Sequence, residues 1–553
     1  MRTAAFSIQS LKAQLSLLIV CTVICLLPFA GKAFNMDDPL FIWVAKNIQL
    51  NPLDPYGFNV NWYETEMRMS DVNKNPPLAS YFLSIVGSVF GWSEAAIHIA
   101  FLLPALVVII GTYLLARHYC ANALLASLAT LFTPVFLVSA TTVMSDVMML
   151  AFWIIAIYSW ISGLEKDSNL LLLFSGILVS LSALTKYFGL TLIPLLLLYS
   201  ILKRRTVGRW IMHLLLPVVI LAWYQWATGQ LYGRGLLTDA TSYAVAFPSE
   251  FGRISFPKIL VGLSFTGGCF LVVLFFTRLL WSWKGVAVGA LLAAGVAVMV
   301  ASAGALGSFQ IPADAGARWI ISLEFGFFVY GGISLLFIVF LDLVQRRDAE
   351  SGLLFLWFMG AFVFATFVNW TTAARSILPL APVAGILIAR RIERQTEVRN
   401  NISPRQILTP LIGAAAMALA VTWADYRLAN SARAAAAEIH ERYIYNRNTS
   451  WFTGHWGFQY YMQLFGGRPF DAERSLPAAG DLYVVPANNA NLLLPPSELV
   501  QLREVLEVPS SSWISTMNLA AGAGFYTDMW GPLPFSLGAL PLEHYYIYEM
   551  RSF

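Results

Sequence analysis

Two adjacent carboxylates follow the first apolar segment of this chain. Asp37 and Asp38 come a few residues after the apolar run 15–30, and the chain then stays polar and irregular up to the sequence Asn-Pro-Pro-Leu at 75–78. A carboxylate at a membrane boundary is costly unless it is solvated, paired or used in chemistry. The pair could take a proton from a substrate at the membrane surface, which favours an enzyme over a channel. The alternative is that both are solvated loop charges.

Three further charged residues could join them. Asp146 ends a polar stretch, 139–146, that precedes an apolar run, and Lys186 interrupts a leucine-rich segment that is nearly free of charge. Arg375 precedes a Ser-Ile-Leu-Pro sequence at the start of another apolar run. Cations and carboxylates on one face suit the binding of an anionic lipid headgroup while a carboxylate takes a proton. The alternatives are a helix cap or an ion pair with a cation for Asp146, and membrane-boundary anchors for Lys186 and Arg375.

The composition requires a membrane around these residues. The chain has 553 residues, of which 58% are hydrophobic and 12% charged, whereas soluble domains have about 25% charged residues. The net charge is +4, and the basic residues cluster in short loops, which is typical of membrane topology and not of nucleic-acid binding. Four cysteines lack the spacing of a metal site and are interpreted as small apolar residues: Cys21, Cys25, Cys120 and Cys269.

About thirteen segments are apolar enough to predict transmembrane helices, which need about 20 residues each. We expect the first to remain as an uncleaved helix, and the piece 78–90 to be too short to span. The predicted spans are 14–31, 95–116, 121–139, 143–162, 169–185, 188–202, 211–228, 257–278, 285–305, 319–343, 352–370, 375–390 and 407–423.

The distribution of Lys and Arg predicts the orientation. Alternate loops are rich in these residues and fall on the side of the N-terminus, which the positive-inside rule assigns to the cytoplasm. The predicted fold is therefore mainly α, a polytopic bundle over 1–423 with a first extracytoplasmic catalytic loop at 32–77. The remainder, 424–553, alternates β-rich runs with Gly and Pro, which predicts a small α/β domain on the outer face.

The order of these motifs resembles the GT-C membrane glycosyltransferases over residues 14–390. The order is a first helix, an acidic pair, Pro-Pro-Leu, an acid at the outer end of a later span, Thr-Lys-aromatic and Arg-x-x-Leu-Pro. The resemblance is to the bacterial branch that contains the protein O-mannosyltransferases and the lipid A aminoarabinose transferase. Many relatives carry Arg-Tyr after the acidic pair, where this chain departs from the pattern with Pro39-Leu40-Phe41.

The resemblance implies a role for each candidate residue. Asp37 or Asp38 would be the catalytic base or would orient the acceptor, and Asp146 matches the acid of a later span. The cations that would hold the donor phosphate are Lys74, Lys186 and Arg375, with Arg68 in place of the missing arginine. Lys74 departs from the common pattern because Asn75 separates it from Pro-Pro-Leu.

The reaction implied is transfer of a sugar from a polyprenyl-phosphate donor to a lipid, glycan or protein acceptor, by inverting displacement at the outer face of the inner membrane. No cofactor is required, although a divalent cation could be held by Asp37, Asp38 or Asp146. A lipid or solute transporter or flippase is the main alternative, and a non-catalytic envelope scaffold is a third. The aromatic segment 454–461 of the tail could stack on sugars or pack the tail domain.

Overall fold

The computed structural model describes residues 10–251, 255–307, 309–399, 402–444 and 449–551. Helices dominate up to Ile444 and strands dominate after it. The α-helices are Leu11–Leu26, Asp38–Leu50, Met69–Val72, Leu78–Phe90, Glu94–Tyr119, Ala123–Leu131, Pro134–Ala140, Asp146–Glu165, Asn169–Thr185, Leu192–Arg204, Ile211–Tyr232, Leu236–Phe251, Phe256–Cys269, Val272–Phe275, Thr277–Leu280, Trp283–Ala303, Ala315–Arg346, Ala349–Val363, Ala374–Ile377, Ala381–Arg399, Pro404–Ile439 and Trp456–Leu464.

Within the described residues, nine helices are long and apolar enough to cross a membrane, or ten if the bent pair Ala123–Leu131 and Pro134–Ala140 is one span. The prediction of a mainly α, polytopic membrane protein is confirmed. The predicted count of about thirteen is higher because several apolar segments form short or broken helices. Asn169–Thr185 has 17 residues, and the segment predicted at 257–278 divides into Phe256–Cys269 and shorter pieces. Apolar composition predicts burial in lipid or protein but does not show where a helix breaks.

The first loop contains its own small fold. The helix Asp38–Leu50 packs against the short helix Leu78–Phe90, which has 13 residues and is too short to span, as expected. Between them the strands Asn59–Asn61 and Glu66–Arg68 pair antiparallel. The loop is therefore an ordered platform at the end of the first span.

The tail builds a five-stranded sheet in the order Arg468–Pro469, Ser450–Phe452, Leu482–Pro486, Glu543–Met550, Val500–Val508. The first three strands run parallel to one another, and the last two pair antiparallel. The helix Trp456–Leu464 connects the parallel strands Ser450–Phe452 and Arg468–Pro469 in a βαβ unit. Tyr545 and Ile547 alternate with partly exposed neighbours, which is the pattern of a sheet with one buried face. The short strands are Ala305–Leu306, Phe309–Gln310, Ile514–Ser515, Met517–Asn518, Ala523–Gly524 and Ser536–Leu537.

One helix joins the two parts of the molecule. Pro404–Ile439 has 36 residues and is therefore about 54 Å long. It begins with a capping box formed by Ser403 and Gln406, and it continues past the predicted domain boundary at 423 and 424 without a break. The division into 1–423 and 424–553 stays a prediction.

Candidate active site

Asp37 and Arg375 form an ion pair that solvent reaches. Asp37 stands just before the helix Asp38–Leu50, and its side chain caps no helical N–H. Its Oδ2 lies 2.5 Å from Nη1 of Arg375, and the two side chains are 24% and 26% exposed. An arginine carries five N–H groups, and Nη1 is the nitrogen that contacts Asp37 and the sulfur of Met144. The pair therefore offers both a carboxylate and further donors to a ligand.

Asp38 is buried and accepts hydrogen bonds from two backbone N–H groups. Its Oδ2 accepts the N–H of Asn35 and its Oδ1 accepts the N–H of Val143, both at 3.0 Å. Burial raises the pKa of Asp38 to about 7, although Lys32 and the two N–H groups act in the opposite direction. The side chain therefore ties the first loop to the loop that precedes Asp146. The adjacent acids, which the sequence left as alternatives, occupy different environments.

Asp146 and Lys186 form a second ion pair. Asp146 begins the helix Asp146–Glu165, and its side chain is 4% exposed, whereas that of Lys186 is 21% exposed. Lys186 directly follows the helix Asn169–Thr185 and donates to Oδ1 of Asp146. Burial lowers the pKa of Arg375, but the carboxylates of Asp37 and Asp146 outweigh it and raise that pKa. The two pairs therefore share one electrostatic site.

Lys74 lies at the edge of the same site. Its Nζ bonds Oδ2 of Asp239 at 2.6 Å and lies 5.9 Å from the ring centroid of Tyr243. Burial raises the pKa of Tyr243, and Asp37 adds to the rise while Arg375 opposes it. Tyr243 thus lies beside Lys74 and within the electrostatic influence of the first ion pair. Sequence reasoning gave Asp239 no role, because its partner lies 165 positions away.

Arg68 is placed differently. It ends the strand Glu66–Arg68 with an exposed side chain, and no ion pair or side-chain hydrogen bond to it occurs among the described residues. Of the seven predicted residues, the structure pairs Asp37 with Arg375 and Asp146 with Lys186, and it pairs Lys74 with Asp239 beside Tyr243. Arg68 remains a prediction as a phosphate contact.

The tail supports the loop that carries Arg375. Asp528 accepts hydrogen bonds from the Thr371 hydroxyl at 2.5 Å and from the Thr372 N–H at 3.1 Å. Phe525 O accepts the N–H of Ala374, the residue before Arg375, at 2.8 Å. The position of the arginine therefore depends on residues of the last strand-rich part of the chain.

A buried ion pair behind the site escaped sequence reasoning. Lys32 and Asp425 are both 0% exposed and bond directly. Asp425 also accepts the hydroxyls of Thr516 at 2.9 Å and Tyr526 at 3.0 Å, and Lys32 donates to the Thr141 hydroxyl at 3.3 Å. The pair joins the first loop, the helix Pro404–Ile439 and the tail. The signal in the sequence was a charge at the end of each of two apolar runs: Lys32 follows 15–30, and Asp425 follows 407–423. A charge at such a boundary is costly unless it is solvated or paired.

The carboxylates that the sequence analysis named as possible ligands of a divalent cation do not form a common metal site. Within the part of the chain that the structure describes, no three His, Cys, Asp or Glu side chains group as a metal site requires. Asp37 and Asp146 each hold a cationic side chain, and both oxygens of Asp38 accept N–H groups. These carboxylates do not fit a shared metal.

The sequence matches one known family over part of its length. Residues 74–226 match the family described as Dolichyl-phosphate-mannose-protein mannosyltransferase, a match that covers less than half of the chain. It includes Lys74, Asp146 and Lys186. Among curated protein sequences, none matches this chain.

Several solved structures resemble the fold at low sequence identity. The oligosaccharyltransferase of Archaeoglobus fulgidus, tethered with an acceptor peptide, is 13% identical with a TM-score of 0.49 over 83% of this chain and 63% of that one. ArnT from Cupriavidus metallidurans is 13% identical, with a TM-score of 0.40 over 86% and 93% in the apo state. The same enzyme bound to undecaprenyl phosphate has a TM-score of 0.38 over 86% and 94%, at 13% identity. The chain thus spans 63% of the length of the archaeal enzyme.

The family match agrees with the motif order read from the sequence. Both place the acid that begins the helix Asp146–Glu165 and the lysine after the helix Asn169–Thr185 inside a glycosyltransferase segment. The resemblance of this multi-pass membrane protein to the GT-C glycosyltransferases, in the branch of the protein mannosyltransferases, is thereby confirmed.

Proposed function

We propose that the protein transfers a sugar from a polyprenyl-phosphate donor to a hydroxyl or phosphate of an acceptor at the outer face of the inner membrane. The observation that carries this proposal is the partly exposed pair of Asp37 and Arg375 beside the pair of Asp146 and Lys186. It combines an accessible carboxylate with cations that retain exposed surface. The match of residues 74–226 to a family of lipid-phosphate-sugar transferases supports the reaction type.

Asp37 is the base in this proposal. Of the three acids selected from the sequence, its side chain is the most open to solvent, since Asp38 is fully buried and Asp146 is nearly so. The acceptor oxygen attacks the anomeric carbon while its proton passes to the Asp37 carboxylate. The bond from that carbon to the phosphate oxygen breaks, and polyprenyl phosphate leaves. A single displacement inverts the anomeric centre and needs one base.

Arg375, Lys186 and Lys74 bind the donor phosphate. Negative charge grows on the phosphate as the sugar leaves, and preformed cations stabilise that charge more strongly in a water-poor site than in bulk water. Each cation already holds a carboxylate. A phosphate that takes part of the Arg375 charge weakens its hold on Asp37, so donor binding frees the base.

Asp38 and Asp146 act as positioning residues. Asp38 fixes the backbone on both sides of the site through Asn35 and Val143, and Asp146 holds the ammonium of Lys186. Arg68, at the exposed end of its strand, stays a prediction as a further phosphate contact.

The test is transfer of radiolabelled sugar from undecaprenyl-phosphate-linked donors to an extracted envelope fraction by the purified protein. We expect Asp37→Asn to abolish transfer and Asp38→Asn to reduce it. Asp71→Asn is the matched control, because Asp71 lies on the same loop in a surface pair with Arg234. Full transfer by the Asp37 variant would reject this assignment of the base. No transfer from any donor by folded wild-type protein would favour the transporter or flippase.

A further inference from the structure

The aromatic segment 453–461 of the tail, which we call the tail clamp, contacts both limbs of the first loop. One limb, 34–36, leads into Asp37, and the other, 61–64, begins at the last residue of the first strand of that loop. The clamp comprises the end of a turn and the first part of the helix Trp456–Leu464. It contains the motif for which packing and sugar stacking were the alternatives.

The first limb meets the clamp backbone to backbone. A Cβ at Gly457 would lie 2.1 Å from the carbonyl oxygen of Phe34 and 3.2 Å from Cα of Asn35. Only glycine lets two backbones approach so closely. The Tyr461 hydroxyl accepts the N–H of Phe34 at 2.9 Å and donates to Glu94, also at 2.9 Å. This contact ends two residues before Asp37.

The second limb is held by side chains of the clamp and of the loop. The Thr453 hydroxyl and the Gly454 N–H donate to Oε1 of Glu64, at 2.8 and 3.2 Å. Gln459 donates to the carbonyl of Asn61 at 2.6 Å. The clamp therefore closes the first loop at its entrance and at its middle.

The ring of His455 completes the second contact. It stacks on Trp62, with centroids 4.9 Å apart and planes 12° from parallel. Asn489 binds the His455 backbone at both N–H and C=O, and Asn491 binds the ring nitrogen Nε2 at 2.9 Å. Burial lowers the pKa of His455 to about 4, against the effect of Asp37. A neutral ring near Asp37 brings no second cation to compete with Arg375.

Left-handed backbone occurs on both sides of the contact. Met36, directly before Asp37, has φ 48°, and Trp456 in the clamp has φ 62°. Both residues line the same small cavity between loop and tail. Non-glycine residues with positive φ are strained and persist where their surroundings hold them, often at functional sites. The two strained residues therefore belong to one fixed junction.

We propose that the tail clamp positions the Asp37 carboxylate, so that the tail is part of the catalytic apparatus and not an accessory domain. The proposal rests on the function proposed above. It assigns Gly457, Tyr461 and His455 as positioning residues. None of them touches substrate; they act through the backbone of 34–36 and through Trp62.

The test is Gly457→Ala in the full-length protein, with Gly31→Ala as the matched control, because a Cβ at Gly31 meets nothing within 4 Å. We expect kcat to fall at least tenfold with the donor KM within twofold of wild type, since small misplacements of a catalytic group cost large factors in rate. Hydrogen exchange followed by mass spectrometry should show faster exchange of the amides at 33–36, and no such change in the control.

Tyr461→Phe is the second variant, because it removes the acceptor for the Phe34 N–H and keeps the ring. We expect a smaller fall in kcat, about threefold to tenfold, with the same local change in exchange. A fall in kcat with unchanged exchange at 33–36 would overturn the proposal, as would wild-type behaviour of both variants. If wild-type protein transfers no sugar, the proposed function fails, and exchange at 33–36 still decides whether the clamp fixes the loop.

Discussion

Two ion pairs each have one member on the first loop, Lys32 in one and Asp37 in the other, five positions apart. The two pairs differ in their burial and in their hydrogen bonds. Lys32 and Asp425 are completely buried, and the hydroxyls of Thr141, Thr516 and Tyr526 complete their hydrogen bonds. Asp37 and Arg375 are about one quarter exposed, and donors of the arginine remain for a ligand. A buried pair whose partners are all supplied by protein can only organise the fold. An open pair with spare donors can exchange its partner for a substrate.

The largest effect should come from breaking the buried pair. Lys32→Met leaves Asp425 charged and uncompensated in the interior, and such a loss typically costs about 3–5 kcal/mol of the free energy of unfolding. The apparent melting temperature in detergent should fall accordingly. Lys12→Met, which changes an exposed lysine near the start of the first helix, is the control.

A double variant sharpens this result. In Lys32→Met/Asp425→Asn the unpaired charge is gone, while the amide oxygen still accepts from Tyr526 or Thr516. Most of the lost stability should return. A double variant as unstable as Lys32→Met would mean that the pair contributes through packing and not through its charge.

The next effect concerns the open pair. Arg375→Lys keeps the charge but removes the planar fork that binds a carboxylate and a phosphate together. We expect kcat/KM for the donor to fall by about 10- to 100-fold, the equivalent of about 1.5–3 kcal/mol for hydrogen bonds to charged groups. Steady-state transfer assays against donor concentration would measure it. An unchanged kcat/KM would remove Arg375 from the phosphate site.

The buried acid of the adjacent pair predicts a pH effect on stability. Burial raises the pKa of Asp38 to about 7, above the value of about 3.9 in an unfolded chain. Between these values the folded state binds the extra proton, so this group's contribution to stability falls as pH rises, by up to about 1.4 kcal/mol per pH unit. Asp38→Asn should lose that part of the slope between pH 4 and 7 in melting experiments. An identical slope in variant and wild type would show that Asp38 titrates normally.

The smallest expected effect is on the stability of the Asp37→Asn variant. Surface ion pairs contribute about 0–1 kcal/mol, and this pair is about one quarter exposed, so its melting temperature should fall by less than that of Lys32→Met while transfer is lost. A large loss of stability would mean that the pair of Asp37 and Arg375 stabilises the fold in the same way as the pair of Lys32 and Asp425.

The sequence predicted that the candidate residues share one face, and the ion pairs of Asp37 with Arg375 and of Asp146 with Lys186 agree with that prediction. Lys186 and Arg375 were placed outside by the distribution of basic loops, and Asp146 at the start of a span, because charge and hydropathy are local properties of the chain. The fold class followed from the same properties. The number of spans did not, because breaks such as the bend of 64° between Ala123–Leu131 and Pro134–Ala140 depend on packing between helices.

Partners could not be predicted in the same way. Lys32 meets Asp425 across 393 positions, and Lys74 meets Asp239 across 165, and no local pattern encodes such contacts. The difference between Asp37 and Asp38 depends on the N–H of Val143, 105 positions away. The sequence therefore assigned Asp37 and Asp38 the same candidate role, whereas the structure gives them different environments.

The helix Pro404–Ile439 has a mechanical consequence. It is about 54 Å long, against about 30 Å of hydrocarbon in a typical bilayer, and it carries Asp425 at the junction with Lys32 and the tail. Such a helix acts as a strut between the lipid and the first loop. A bilayer of different thickness changes the tilt of its helices. A change in the tilt of Pro404–Ile439 would displace Asp425 and its partner Lys32, which lies on the same loop as Asp37. We expect the rate of transfer to vary with the acyl-chain length of the lipids around the protein.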